Sequence, residues 1–426
     1  HGTSRRQRQM CIRDRQINDD KEFLTKEKIP VNNVSKHHHP ILEYFFNASN
    51  EIGIKKNTNL TTSIENQVGH YNINTYNGTR HSSSKVFLKP VLKNPRLTIL
   101  DNTQVKNLII KDKKITGIKI QNKSTEQIIQ LSHGAILCSG SIMTPYLLMH
   151  SGIGDKEHLK KFDKEIIIDN SNVGRNLQDH LGLDYLFKTH HHSLNKSLGT
   201  WPGRITSVLN YIYNRKGPLS LSINQSGGYV NWNSKHHYPN LQIYFNPLTY
   251  SITHKNKRPL LKTDKFNGFI IGYNSCRPKS LGRVALNSPN FEDAPLIDPN
   301  FLSHEEDIYD VKCAINFSQV LANTNSIKKI RNESVKHDLL NATEEEMIDH
   351  FKSNAVSIYH PCGTCKMDED PKKGVVSERL KVHGMENLWI ADASVFPNIT
   401  SGNINAPVMM LANLGSKFII EDLNKI

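Results

Sequence analysis

Tyr359 to Pro407 reads YHPCGTCKMDEDPKKGVVSERLKVHGMENLWIADASVFPNITSGNINAP, and this stretch decides how the whole chain is read. His360 supplies a side chain that titrates near neutrality, as removal of a hydroxyl proton requires. Gly363 and Thr364 behind it are small enough to let another group come close. One histidine among 21 carries no such reading by its type alone. Its surroundings give it one. Leu388-Trp389-Ile390-Ala391 is a short apolar run ending in Asp392-Ala393-Ser394, the pattern of a buried strand feeding a polar turn. Ser401 to Pro407 is turn-rich and opens onto Val408-Met409-Met410-Leu411-Ala412, which predicts the start of a buried helix with Pro407 in its first turn. Such a helix end presents free N–H groups and a partial positive charge, against which an anionic or electron-rich cofactor edge can rest. The residue types alone equally describe an ordinary strand, turn and helix.

Taken in order, HPCGTCKM, VVSERLKVHGMENLWIADASVFP and TSGNINAP resemble the C-terminal region of the glucose-methanol-choline (GMC) oxidoreductases, FAD-dependent alcohol oxidases and dehydrogenases. A second block is similar to another signature of that family: GSIMTPYLLMHSGIG at Gly140–Gly154, followed by NVGRNLQDH at Asn172–His180. The resemblance implies a mixed α/β (α+β) fold, with an incomplete Rossmann-like FAD-binding domain and a substrate domain built on an antiparallel sheet. It implies oxidation of an alcohol or sugar CH–OH group, with FAD as cofactor and a separate electron acceptor. His360 would take the hydroxyl proton while the carbon-bound hydrogen leaves as hydride to flavin N5. Asn403 would be the second catalytic residue. Its amide can donate to the substrate oxygen but cannot act as base. Val105 would meet the adenine end of FAD through its backbone, although its residue type fits a plain strand position equally well. Asp392, Ala393, Ile404 and Asn405 would lie near the ribityl chain, pyrophosphate and pyrimidine edge. Two positions depart from the family pattern, Asp368 where Gly is usual and Ser377 where Asp is usual. A cyanohydrin lyase on the same scaffold, or an inactive remnant with a binding or structural role, would share these motifs.

The family opens with a GxGxxG turn whose helix N-terminus holds the FAD pyrophosphate, and no GxGxxG occurs in this sequence. The chain is therefore expected to lack the family's N-terminal part. Residues 1–15, HGTSRRQRQMCIRDR, match no periodic element and are set aside as a non-native segment. The expected organisation is then 16–185 as part of the FAD-binding domain, 186–354 as the substrate domain, and 355–426 as the returning part of the FAD-binding domain with the catalytic residues.

A chain of 426 residues is long enough for two domains, and 22% charged residues is not a disordered composition. The net charge of +14 is spread among many Asn and Ile without a basic repeat, so nucleic acid is not an expected partner. No apolar run approaches the roughly 18 residues of a membrane span. Sequons such as Asn47, Asn195 and Asn341 suit a secreted protein, although an Asn-rich chain also produces them by chance. The blocks resemble the insect glucose-dehydrogenase-like branch most in wording.

Elsewhere, Ile41, Leu42, Tyr44, Phe45 and Phe46 predict an amphipathic helix, and Asn77–Pro90 a turn leading into a helix. Strands are predicted at 97–100, 105–110, 115–120 and 128–131, with a buried strand at Gly134–Cys138. The runs His37–His39 and His190–His192 could bind a metal. No Cys or carboxylate completes a tetrahedral set, which makes solvated loops the simpler reading, and no metal is expected. Cys362-Gly363-Thr364-Cys365 is formally a CxxC without a second pair, and its place inside the family motif argues against redox chemistry.

Overall fold

The computed structural model describes residues 29–60, 65–255, 258–335 and 338–424. The segment 1–15 lies outside them. The chain is a mixture of helices and sheets that divides into two compact units.

One unit comprises the described part of His1–Asn94 together with Leu181–Cys276 and Ile308–Val356. Its centre is a seven-stranded sheet. Gln67–His70, Ser226–Val230, Leu241–Asn246, Gly268–Ser275 and Leu181–Lys188 run antiparallel to one another in that spatial order. Gly268–Ser275, GFIIGYNS, is almost continuously buried, as a central strand covered on both faces must be. Phe245 stacks on Phe45 and on Phe269, with ring centroids 5.0 and 5.2 Å apart. Phe45 comes from the helix Leu42–Glu51, which turns Leu42, Phe45 and Phe46 inward as its periodicity predicts.

The other unit comprises Pro95–His180, Arg277–Asp307 and Ser357–Ile426. Three antiparallel strands, Thr103–Lys111, Lys114–Asn122 and Thr125–Gln130, form one sheet. Ala135–Leu137 pairs in parallel with Leu388–Ile390, joining the two signature blocks. The helix Gly140–His150 packs Leu147, Leu148 and Met149 into the same core as Leu388 and Ile390. The helix Asn405–Leu423 closes the chain, with Pro407 buried in its first turn.

Three expectations are corrected. Leu97–Leu100 forms no strand: it follows Pro95, finds no pairing partner and leaves Leu97, Ile99 and Leu100 exposed. The strand at Ala135–Leu137 exists but is not buried throughout. It has Leu388–Ile390 as its sole strand neighbour among the described residues, which leaves Ile136 at 48% exposure and Cys138 exposed. The C-terminal helix is only partly buried, because just Pro407, Gly415 and Ile419 reach the interior. The two units divide the chain at 94/95, 180/181, 276/277, 307/308 and 356/357. The described part of 16–94 joins the antiparallel unit through the pairing of Gln67–His70 with Ser226–Tyr229. Residues 277–307 join the other unit through the pairing of Gly282–Ala285 with Arg175–Leu177 and Leu296–Asp298.

Candidate active site

Tyr359 holds a left-handed φ of 63°, and this turn sends the next side chain inward. His360 is consequently buried, whereas Tyr359 is exposed. The backbone around it is fastened by Asp179. One carboxylate oxygen accepts the N–H groups of His360 and His180, each at 2.8 Å, and the other accepts the Ser357 hydroxyl. Gln178 and Cys362 exchange backbone hydrogen bonds of 3.0 and 2.9 Å, so the segments NLQDH and HPCG lie side by side. Gly363 is required there. At φ 90°, a Cβ would fall 2.5 Å from the Asn176 carbonyl oxygen.

His360 Nε2 lies 3.1 Å from the Asn403 amide nitrogen, and His360 Nδ1 lies 2.9 Å from His180 Nδ1. With that amide nitrogen facing the ring, Asn403 donates to Nε2, which therefore carries no proton. The ring proton then sits on Nδ1 and is donated to His180. Burial reinforces the neutral form by lowering the His360 pKa from 6.5 to about 4. At neutral pH, His360 presents an unprotonated nitrogen beside an amide donor.

Asp392 stands at the end of the strand Leu388–Ile390, as its sequence pattern predicts. Its carboxylate accepts from the Gly140 N–H at 2.9 Å and the Thr144 hydroxyl at 2.6 Å, and on the other oxygen from the Ser394 N–H and hydroxyl. The acid therefore caps the helix Gly140–His150 from a distant part of the chain, where helix-end N–H groups favour negative charge. Ala393 and Ile404 meet in a small apolar cluster with Cys362, Phe396 and Ile399. Ile404 is the N-cap residue of the helix Asn405–Leu423, which has no side-chain cap, and Asn403 and Asn405 flank it exposed. Four anticipated residues are thus gathered near one place: His360 against Asn403, and Ala393 against Ile404. Val105 is not among them. It lies on Thr103–Lys111 beside a bulge and packs against the core that contains Leu137.

Two contributors were missed. His180 and Asp179 stand within the quoted NVGRNLQDH, but nothing local marks either as a partner of a residue about 180 positions later. The CxxC cysteines are both fully buried free thiols, and burial pushes each well above its ordinary pKa, opposite to what a reactive thiolate needs. Asp368 spends its carboxylate on a local turn, accepting from Asp370 N–H at 3.0 Å.

A neutral buried imidazole thus lies between an amide donor and a second imidazole, close in sequence to the N-terminus of the helix Asn405–Leu423. The chain belongs to the GMC oxidoreductase family, which it matches over residues 3–182 and 278–412. The first match begins inside the 1–15 segment that the sequence reading sets aside. An alcohol dehydrogenase [acceptor] from Pseudomonas putida is 32% identical over 388 residues, covering 90% of this chain and 69% of that protein. An oxygen-dependent choline dehydrogenase from Brucella ovis is 28% identical with the same coverage. Among solved structures, a formate oxidase superposes with a TM-score of 0.86 at 23% identity, over 98% of this chain and 78% of the other. Pyridoxine 4-oxidase from Mesorbium loti gives 0.77 at 22% identity, over 91% and 71%. The cofactor of this oxidoreductase family is FAD.

Proposed function

We propose that this protein oxidises an alcohol CH–OH group, with His360 as the base and Asn403 as the hydrogen-bond donor to the substrate oxygen. The observation that carries this reading is the pairing of Asn403 with an unprotonated His360 Nε2 at 3.1 Å. A hydroxyl entering between them can donate to Nε2 and accept from the amide at once, and both interactions strengthen as the oxygen gains negative charge. The proton then passes to Nε2. The resulting imidazolium keeps its Nδ1–H directed at His180 Nδ1, 2.9 Å away.

The residues present fit FAD at the end of the helix Asn405–Leu423, whose N-cap residue Ile404 has no polar side chain to cap the terminal N–H groups. Ile404 and Asn405 would hold the pyrimidine edge, and Asp392 and Ala393 would shape the backbone turn along the ribityl chain and pyrophosphate. Val105 would serve the adenine end. When bound, FAD takes the carbon-bound hydrogen as hydride and passes its electrons to an acceptor.

The named relatives act on alcohols and choline, so the substrate class is taken as alcohols. The narrower expectation of a glucose-dehydrogenase-like branch draws no support from them. The test is reduction of an artificial dye by the FAD-supplied protein with a panel of primary alcohols. Dye reduction that falls by a factor of about 10² or more in His360→Ala supports the reading. Equal turnover in that variant, with FAD content unchanged, would refute it.

A further inference from the structure

The helix Trp201–Asn214 carries its apolar side outward. Trp201 is 76% exposed, Ile205 55%, Ile212 58% and Tyr213 79%, and Val208 and Leu209 are exposed beside them. At about 100° per residue these six fall within an arc of about 140°. The opposite side carries Gly203, Ser207 and Asn210, and it is this polar side that faces the protein. Ser207 is buried and donates to the Ser197 carbonyl at 3.3 Å, while a Cβ on Gly203 would fall 2.3 Å from the Lys196 carbonyl oxygen. An ordinary surface helix has the reverse orientation. The helix is well made nonetheless. The Thr200 hydroxyl caps its N-terminus, Pro202 lies in its first turn, and Arg215 ends it in a left-handed conformation. The exposed stripe is therefore a feature of a properly terminated helix.

The helix and the sequence on either side of it carry charge of one sign, up to Asp264, whose carbonyl lies near Gly199. Residues 185–263 contain ten Lys or Arg and no Asp or Glu. Lys196, Arg204, Arg215 and Lys216 are exposed on or next to the helix. An apolar stripe with Trp at one end and Tyr towards the other, on a helix that carries cations and no acid, has the chemistry of a surface that lies in a bilayer interface. No helix among the described residues is long and apolar enough to cross a membrane, so the contact is one of lying on the lipid.

We propose that Trp201–Asn214 docks this protein onto anionic membrane surfaces, with Trp201, Ile205, Val208, Leu209, Ile212 and Tyr213 entering the interface and the flanking Lys and Arg meeting lipid phosphates. The inference stands apart from the catalytic reading, since it rests on the exposed side of one helix and on no residue assigned a part in the proposed reaction.

Flotation of the full chain with phosphatidylcholine vesicles containing 30% phosphatidylglycerol tests it, with pure phosphatidylcholine vesicles and 0.5 M KCl as comparisons. Binding to the anionic vesicles that weakens in salt is expected, with a blue shift of tryptophan emission that is absent in Trp201→Phe. The double variant Ile205→Ser with Ile212→Ser should lose at least about tenfold in partitioning. Both side chains are already more than half exposed, so the variant keeps its melting temperature. Equal vesicle binding by this variant and the parent overturns the proposal. So does a concentration-dependent dimer that the double variant dissolves while neither protein floats with vesicles, which would assign the stripe to a second copy of the chain.

Discussion

His180 and His360 face each other nitrogen to nitrogen, Nδ1 to Nδ1 at 2.9 Å, with ring planes 85° apart. Only one of the two nitrogens can carry the shared hydrogen, and with Asn403 donating to His360 Nε2 it is His360 Nδ1 that carries it. His180 is a positioning residue on this view. His180→Ala should lower kcat by about tenfold to a hundredfold and move the acid limb of the pH profile, while His180→Asn, which restores an acceptor, recovers part of the loss. An unchanged pH profile in His180→Ala would show the contact to be structural only.

The acid limb itself is a second prediction. As the proposed base, His360 would act in its neutral form, and burial lowers its pKa to about 4. Activity should therefore persist as pH falls below 6 and be lost as it passes through about 4, provided the protein remains folded. A kcat/KM limb near 6.5, measured in a folded sample, would contradict a buried base.

Folding stability should respond in a different window. Burial lowers His38, His39, His150 and His360 from 6.5 to about 4. Their folded pKa values lie below the unfolded ones, so between those limits the unfolded chain binds more protons. Stability is then full above about pH 6.5 and falls as pH drops towards 4, by up to about 1.4 kcal/mol per pH unit per histidine. Urea midpoints at pH 8, 6 and 5 would measure this. A flat series would mean that these rings are solvated in the folded state.

His150 allows the same idea to be tested at one position. Its ring sits among Tyr146 and Phe291, at centroid distances of 4.4 and 5.0 Å, and its buried Nε2 has no hydrogen-bond partner. His150→Phe keeps the ring shape and removes the stranded polar atom. A gain of about 1 kcal/mol is expected, together with a shallower loss of stability in acid. A lower melting temperature would show that the slot does not accept a wholly apolar ring.

Asp392 should be among the least replaceable residues. Its two oxygens accept four hydrogen bonds, from Gly140, Thr144 and Ser394, in a buried setting. Asp392→Ala strands those donors and should cost about 2–4 kcal/mol, with loss of FAD retention after desalting. Retention of FAD at parental affinity would remove Asp392 from any role in shaping the cofactor seat.

The legible part of this protein was the part written in short range. Apolar runs marked the strands Thr103–Lys111, Lys114–Asn122 and Leu388–Ile390, 3.6-residue spacing marked the helix Leu42–Glu51, and the residue order around His360 and Asn403 carried the family. Those signals depend on neighbours in the chain, where side-chain direction repeats with the backbone. Other features had no local signal. An apolar run at Leu97–Leu100 looked like a strand, yet a strand exists only where a partner completes its hydrogen bonds, and none reaches it. Asn195 read as a glycosylation site, but folding buries it, with its amide donating to the carbonyls of Thr249 and Asp264. His180 read as one residue of a motif until packing set its ring against His360. Sequence determined the residue types at the proposed site and the helix that follows them. Tertiary structure alone decided the tautomer of His360, because it is fixed by contacts with Asn403 and His180, 43 and 180 residues away in the chain, and no local pattern encodes them.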